Sequence, residues 1–272
     1  MAGKLYLCAT PIGNLDDITY RVLETLKSVD LIAAEDTRNS IKLLNHFDIH
    51  VPMTSYHEFN KIDKAKYLVN RMLEGVNIAL ITDAGTPGIS DPGEELVRFC
   101  YEAGIEVTSL PGPAACITAL TLSGLSTRRF CFEGFLPTDK KERQVVLERL
   151  KKETRTTVFY EAPHKLAQTL KDMYEILGDR EIALVKEITK MHESVVRTDL
   201  ATASAMFDEE KPKGEFVVIV DGKKAEEKEI SFENAVEEAK RLMADGMSTN
   251  SAAKEVAKVT SFKKNDIYRA LL

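Results

Sequence analysis

Short apolar runs alternate with amphipathic stretches along the first hundred residues. KLYLCA (4–9), DLIAA (30–34), NIALIT (77–82) and EVTSL (106–110) read as strands. Between them, Asp17–Lys27 places Ile18, Val22, Leu23 and Leu26 on one helical face. Ile62–Leu73 repeats the pattern with Ile62, Ala65, Leu68, Val69 and Met72. Strands that do not alternate polar with apolar are buried on both faces. The pattern therefore predicts an α/β fold with a mostly parallel sheet covered on both sides. Ligands of such sheets gather at the carboxyl ends of the strands.

Pro111-Gly112-Pro113 interrupts this rhythm and marks a boundary, after which Ala114–Leu122 reads as a helix with Pro113 near its first turn. Strands restart at 129–135, 156–162, 182–188, 193–198 and 214–220, with helices at Arg143–Lys152, His164–Leu177 and Leu200–Asp208. A charged linker, DGKKAEEKE (221–229), precedes three short helical patterns, Phe232–Ala244, Thr249–Val259 and Lys263–Leu271. The expected organisation is an α/β lobe over 1–112, a second α/β lobe over 113–222, and a small helix-turn-helix-like unit over 230–272. The last is too small to be robust alone and is expected to pack on a lobe or a partner.

Composition narrows the class. In 272 residues, 44% hydrophobic and 29% charged content excludes a disordered or collagen-like chain. No stretch approaches the ~20 uninterrupted apolar residues of a membrane span. The first residues read as an opening strand and not as a secretory signal. The four cysteines form no C-x-x-C and the five histidines no H-E-x-x-H, so neither a disulfide framework nor a zinc site is indicated. A reducing cytoplasm is the expected compartment. The net charge of −6 is unevenly spread: residues 1–110 carry a balance of −6, residues 139–155 one of +3 and residues 240–272 one of +4. The two basic stretches are either solvated helix faces or a divided footprint for a polyanion.

The segment richest in chemistry is ITDAGTPGISDPG (81–93), a strand-to-helix loop dense in Gly, Pro and Asp. Glycine lets a backbone approach a ligand, and proline removes states that binding would otherwise have to order. The loop lacks the lysine of a triphosphate-binding loop and does not match G-x-G-x-x-G. Its aspartates would repel a pyrophosphate but suit a cationic, hydroxyl-rich ligand such as S-adenosylmethionine. Two more loops, ATPIGNLDD (9–17) and LPGPAA (110–115), also follow strands, and a parallel sheet would bring all three to one edge.

These loops, together with AAEDTR (33–38), SYHEFN (55–60), FEGFLP (132–137), FYEAPHK (159–165), KEITKMHE (186–193) and GEFVVIV (214–220), resemble the tetrapyrrole methylase superfamily over residues 5–220. The match is closer to a branch of it that acts on small-subunit ribosomal RNA. The resemblance implies the two-lobed class III methyltransferase fold with a small C-terminal helical extension, S-adenosylmethionine in the cleft between the lobes, and a homodimer. It implies 2′-O-methylation of a decoding-region cytidine in 16S ribosomal RNA, with the 30S subunit as the expected context. The absence of a long apolar stretch argues against a membrane partner, and the leaving group of a sulfonium donor is neutral, so no metal is expected. Carried over by motif, the cofactor site is Pro11, Asp83, Ala84, Gly85, Ile89, Ser90, Ala114 and Ala115, with Tyr160, Ala162, Glu215 and Phe216 from the second lobe.

A ribose hydroxyl is a weak acid, so a base or polarising cation helps its methylation. Candidates are Lys186, Glu187, His192, Glu161, His164, Glu35 and Asp36, with Arg38 as a phosphate holder. Lys186, Glu187, Asp36 and Arg38 are the ones expected to face the ribose. Each has a plainer reading: a Lys186–Glu187 ion pair at a strand end, His164 as a helix cap, Glu35 and Asp36 paired with Arg38 at the surface. Two other functions remain open, a tetrapyrrole C-methyltransferase and a non-catalytic RNA-binding assembly factor.

Overall fold

The computed structural model describes residues 1–207, 212–224 and 231–272. Contacts group Met1–Lys223 into one compact unit and Lys224–Leu272 into a second. The first unit holds two five-stranded sheets.

The first sheet is formed by β1 (Leu5–Cys8), β2 (Leu31–Ala34), β3 (Met53–Ser55), β4 (Ile78–Ile81) and β5 (Val107–Leu110), in the order β3-β2-β4-β1-β5. Every pairing is parallel. All four residues of β4 are buried, and successive side chains serve opposite faces. Ile78 and Leu80 join Leu68, Met72 and Leu96 from α3 (Lys61–Leu73) and α4 (Glu94–Glu102). Ala79 and Ile81 join Val22, Leu26 and Leu44 from α1 (Tyr20–Ser28) and α2 (Thr37–His46). The parallel sheet covered on both faces is as expected.

The second sheet combines β6 (Phe130–Phe135), β7 (Thr156–Glu161), β8 (Glu181–Lys186), β9 (Ser194–Asp199) and β10 (Phe216–Val220), in the order β6-β7-β10-β8-β9. The sequence pattern left the strand directions of this second lobe open, and the sheet is mixed. Only β6 and β7 run parallel, while β7–β10, β10–β8 and β8–β9 are antiparallel. β8 and β9 are joined by the short connection 187–193 with no crossover helix, too short for parallel pairing. Helices α6 (Lys140–Leu150), α7 (Pro163–Leu177) and α8 (Leu200–Met206) cover one face. The other face packs on α5 (Ala115–Ser123), the helix after the Pro-Gly-Pro boundary, through Cys116, Ala119 and Leu120. The end of the predicted helix at Asp208 lies outside the described residues.

The second unit contains α9 (Phe232–Ala244), α10 (Thr249–Val259) and α11 (Lys264–Ala270) around Ala235, Ala239, Ala252, Ala253, Val256 and Ile267. Ser231 and Ser248 cap α9 and α10 by accepting the amides of Asn234 and Ser251. Residues 225–230, most of the predicted charged linker and the expected first residue of this unit, lie outside the described residues. Among the described residues, no helix is long and apolar enough to cross a membrane.

Candidate functional site

Three loops leave the carboxyl edge of the first sheet and are stitched to one another. Thr10, after β1, exchanges two backbone hydrogen bonds with Gly85, after β4, at 2.9 and 3.0 Å. The Thr10 hydroxyl donates to the Thr82 carbonyl at 3.0 Å. Thr86 donates to the carbonyl of Pro113, after β5, at 2.8 Å. The β4–α4 loop achieves its folded-back path with positive φ at Gly85, Gly88 and Ser90. Ser90 is not glycine, and non-glycine residues held in this region cluster at ligand clamps.

The opposite wall comes from the second sheet. Tyr160, at the end of β7, accepts the amide of Cys116 at 3.0 Å, which ties the sheet to the start of α5. Phe132 and Phe135 meet its ring edge-on, with centroids at 4.9 and 5.5 Å. Between the walls lies a cleft of about 460 Å³. Ile12, Glu35, the 83–86 and 89–91 stretches, Ala114 and Ala115 line it from the loops of the first sheet and the start of α5. Phe135, residues 160–163, Ile188 and residues 215–217 line it from the second sheet. That volume falls in the range of small-molecule and cofactor sites.

Residues 4–204 match the model of the Tetrapyrrole (Corrin/Porphyrin) Methylases. The chain belongs to the tetrapyrrole methylase family. This tetrapyrrole methylase is 49% identical to a Synechocystis protein named ribosomal RNA small subunit methyltransferase I, covering 99% of this chain and 98% of that one. It is 45% identical to the protein of that name from Escherichia coli O157:H7, over 99% and 95% of the two chains. A Thermotoga maritima protein of the same name aligns at 47% identity over 221 residues, 99% of its own length but 81% of this chain. Among solved structures, diphthine synthase superposes with a TM-score of 0.62 at 12% identity, covering 81% of this chain and 90% of that one. A uroporphyrin-III C-methyltransferase from Thermus thermophilus gives 0.56 at 17%, covering 81% and 98%. These two likenesses concern the fold alone.

The cleft of this tetrapyrrole methylase has an acidic floor. Burial raises the pKa of Glu35, with the charges of Asp83 and Asp36 adding to the rise and the amide of Asp83 opposing it. Burial is also the main cause that lifts Asp91 from 3.8 to about 7, followed by the charges of Glu35 and Asp83, while the Thr82 side chain works against them. Asn39, in the first turn of α2, donates to Asp83 Oδ2 at 3.1 Å and fixes that carboxylate. Across the cleft, Glu161 is buried and accepts from the Thr169 hydroxyl at 2.6 Å and from the Ala162 amide at 2.8 Å. Carboxylates around an otherwise apolar, small-residue cavity suit a cationic ligand with a flat apolar portion. S-adenosylmethionine is of that kind, so the residues present fit it.

Of the twelve expected cofactor residues, eleven line this one cleft: Asp83, Ala84, Gly85, Ile89, Ser90, Ala114, Ala115, Tyr160, Ala162, Glu215 and Phe216. Pro11 does not; its neighbour Ile12 does, one residue beyond the Thr10–Gly85 bridge and Pro11. The four residues expected to face the ribose also fall outside the lining. Asp36 is the N-cap of α2 and accepts the Arg38 amide at 2.8 Å. Arg38 lies 88% exposed with its guanidinium on Asp36, which holds that carboxyl down at about 2. This is the plainer reading of that pair, a surface ion pair that caps a helix. Lys186 ends β8 half-buried. Glu187 is not among the lining residues; its carboxylate accepts the amide of the cleft-lining Glu215 at 2.8 Å, the main cause that lowers its pKa. His164 does not cap its helix, since Ala162 is the cap and Pro163 opens the first turn. Sequence reasoning missed Asp91 as a titrating group; the signal was the second aspartate of the loop, read only as polarity.

Proposed function

We propose that this tetrapyrrole methylase transfers a methyl group from S-adenosylmethionine to small-subunit ribosomal RNA, at the ribose 2′-hydroxyl of a decoding-region cytidine. What carries the reading is near-full-length similarity to relatives named for that substrate, combined with a cleft whose acidic, apolar lining suits the donor. When bound, S-adenosylmethionine supplies an electrophilic methyl group on a sulfonium. Asp83, Glu35 and Glu215 offer negative charge to the cationic donor, and Ala84, Gly85, Ala114 and Ala115 let the backbone approach it. Tyr160, Phe135 and Phe216 present apolar and aromatic surface on the other side. Holding donor and acceptor in line contributes up to ~7–11 kcal/mol in ideal cases. Asp91, with a proton affinity near neutrality, is the cleft carboxylate suited to take the hydroxyl proton at its Oδ atoms.

The 30S subunit as the RNA context, a cytoplasmic location and a second copy of the chain as partner belong to the same proposal. Supporting the last, Ile117 and Leu122 of α5 and Val195 and Val196 of β9 are apolar and exposed. The test is transfer of labelled methyl from S-adenosylmethionine to 30S subunits or naked 16S RNA, with a precorrin as the competing acceptor. Label on a cytidine ribose of 16S RNA is expected. Label on the tetrapyrrole, or on neither, would overturn the reading.

A further inference from the structure

The turn between β8 and β9 has a backbone that its residue types disfavour. Glu187 and Thr189 adopt φ of +52° and +65°. For a β-branched residue such as Thr189 this is a genuine outlier. Such strain persists only where the surroundings over-determine it. Here they do so through specific bonds. The Glu187 amide donates to the Glu215 carbonyl at 3.0 Å, and Glu187 Oε1 accepts the Glu215 amide at 2.8 Å. Lys190 Nζ then donates to Glu187 Oε1 at 3.1 Å and to Glu215 Oε2 at 2.8 Å. Glu215 and Ile188, on the same turn and strand start, line the cleft.

The stem of Lys190 reaches the other wall. Gly13 follows the cleft-lining Ile12, and a Cβ there would overlap Lys190 Cγ and stand 3.0 Å from Thr189 Oγ1 and 3.1 Å from the Ile188 carbonyl. A side chain at this position would have to push the Lys190 stem aside. The Thr189 hydroxyl is buried with no hydrogen-bond partner among the described residues, so the turn keeps its shape at the cost of an unsatisfied polar atom.

We propose that Lys190 is a positioning residue for methyl transfer: with Glu187 and Gly13 it latches the mouth of the cleft, fixing the wall that carries Ile12 against the wall that carries Glu215. The latch rests on the reading of the cleft as the donor site. It acts through Ile12 and Glu215 and not on the reacting atoms.

The test uses the full chain and S-adenosylhomocysteine, which lacks the sulfonium, so that loss of the Lys190 charge does not act on a ligand charge at sulfur. By calorimetry, K190A and G13A each weaken its binding about tenfold, the scale of a lost charge-assisted hydrogen bond. K190R restores affinity to within about threefold, since guanidinium keeps the charge and the stem. In turnover, K190A raises KM for the donor about tenfold while kcat changes less than about threefold. Because G13A acts by displacing the Lys190 stem, which K190A has already removed, the K190A/G13A double variant loses about tenfold and not about a hundredfold. Wild-type affinity in K190A, equal loss in K190R, or a double variant that adds fully would each overturn the latch while leaving the donor site standing. Should G13A fail to fold, K190A against K190R decides alone. A wild-type protein that binds no S-adenosylhomocysteine would remove both the latch and the reading beneath it.

Discussion

Replacing Asp91 by asparagine isolates the electrostatic cost of the cleft floor. The carboxyl rises from 3.8 to about 7 because burial and the charges of Glu35 and Asp83 disfavour its ionised form. The folded protein therefore holds this proton more tightly than the unfolded chain does. The stability associated with it is fully present below the unfolded value of 3.8 and is lost as pH rises to about 7, with no further loss above. At about 1.4 kcal/mol per unit the whole shift corresponds to ~4 kcal/mol, and water entering the open cleft reduces this to about 2 kcal/mol. Asparagine keeps the shape and cannot ionise. D91N is thus expected to match the wild type near pH 4 and to exceed it by about 2 kcal/mol at pH 8, an apparent Tm gain of about 5 °C. Thermal denaturation followed by circular dichroism across pH 4–8 checks this. A gap that does not change with pH, or a less stable D91N at pH 8, would refute the reasoning and make Asp91 an ordinary ionised residue before α4. If Asp91 also takes the hydroxyl proton, D91N lowers kcat by about 10²–10⁴-fold with little effect on S-adenosylhomocysteine affinity.

A cationic donor beside Asp91 favours its ionised form. Binding of S-adenosylmethionine near pH 6.5 should therefore release protons, read by calorimetry in buffers of different ionisation enthalpy, and affinity should rise with pH up to about 7. Arg143 and Asp172 form a buried ion pair, with Nε donating to Oδ2 at 2.7 Å and Arg143 also reaching the carbonyls of Pro137 and Thr138. D172A leaves that guanidinium unpaired and should cost about 3–5 kcal/mol in chemical denaturation, whereas an apolar R143M/D172L pair should cost much less. Every residue lining the cleft falls within Met1–Lys223. Removing residues 224–272 should leave S-adenosylhomocysteine affinity within about threefold, and, if their positive balance grips RNA, should flatten the salt dependence of RNA binding.

The first sheet was legible because buried parallel strands leave continuous apolar runs and their helices leave clean stripes. Helix α2 and strand β3 escaped that reading. α2 buries only Ser40 and Leu44 along a polar sequence, and β3 is a three-residue edge strand with no buried residue. The second sheet's direction was not legible, since a strand's sequence does not record which way its neighbour runs and the β8–β9 turn resembles any loop. Within the site, the loops that supply backbone were readable from their glycine and proline content, and residues 83–86, 89–91 and 114–115 of those loops line one cleft. Charged side chains were harder. Asp36, Arg38 and Glu187 looked reactive by type, but their partners, the Arg38 amide and the Glu215 backbone, are set by caps and turns that only three dimensions disclose. Asp91 looked ordinary by type and is perturbed by neighbours far away in sequence.

A crystal structure of the protein with S-adenosylhomocysteine tests the donor site most directly. The ligand is expected between the β4–α4 loop and the ends of β7 and β10, touching Asp83, Ala114 and Tyr160 together. A ligand seated elsewhere, with those three residues facing only solvent, would contradict the account.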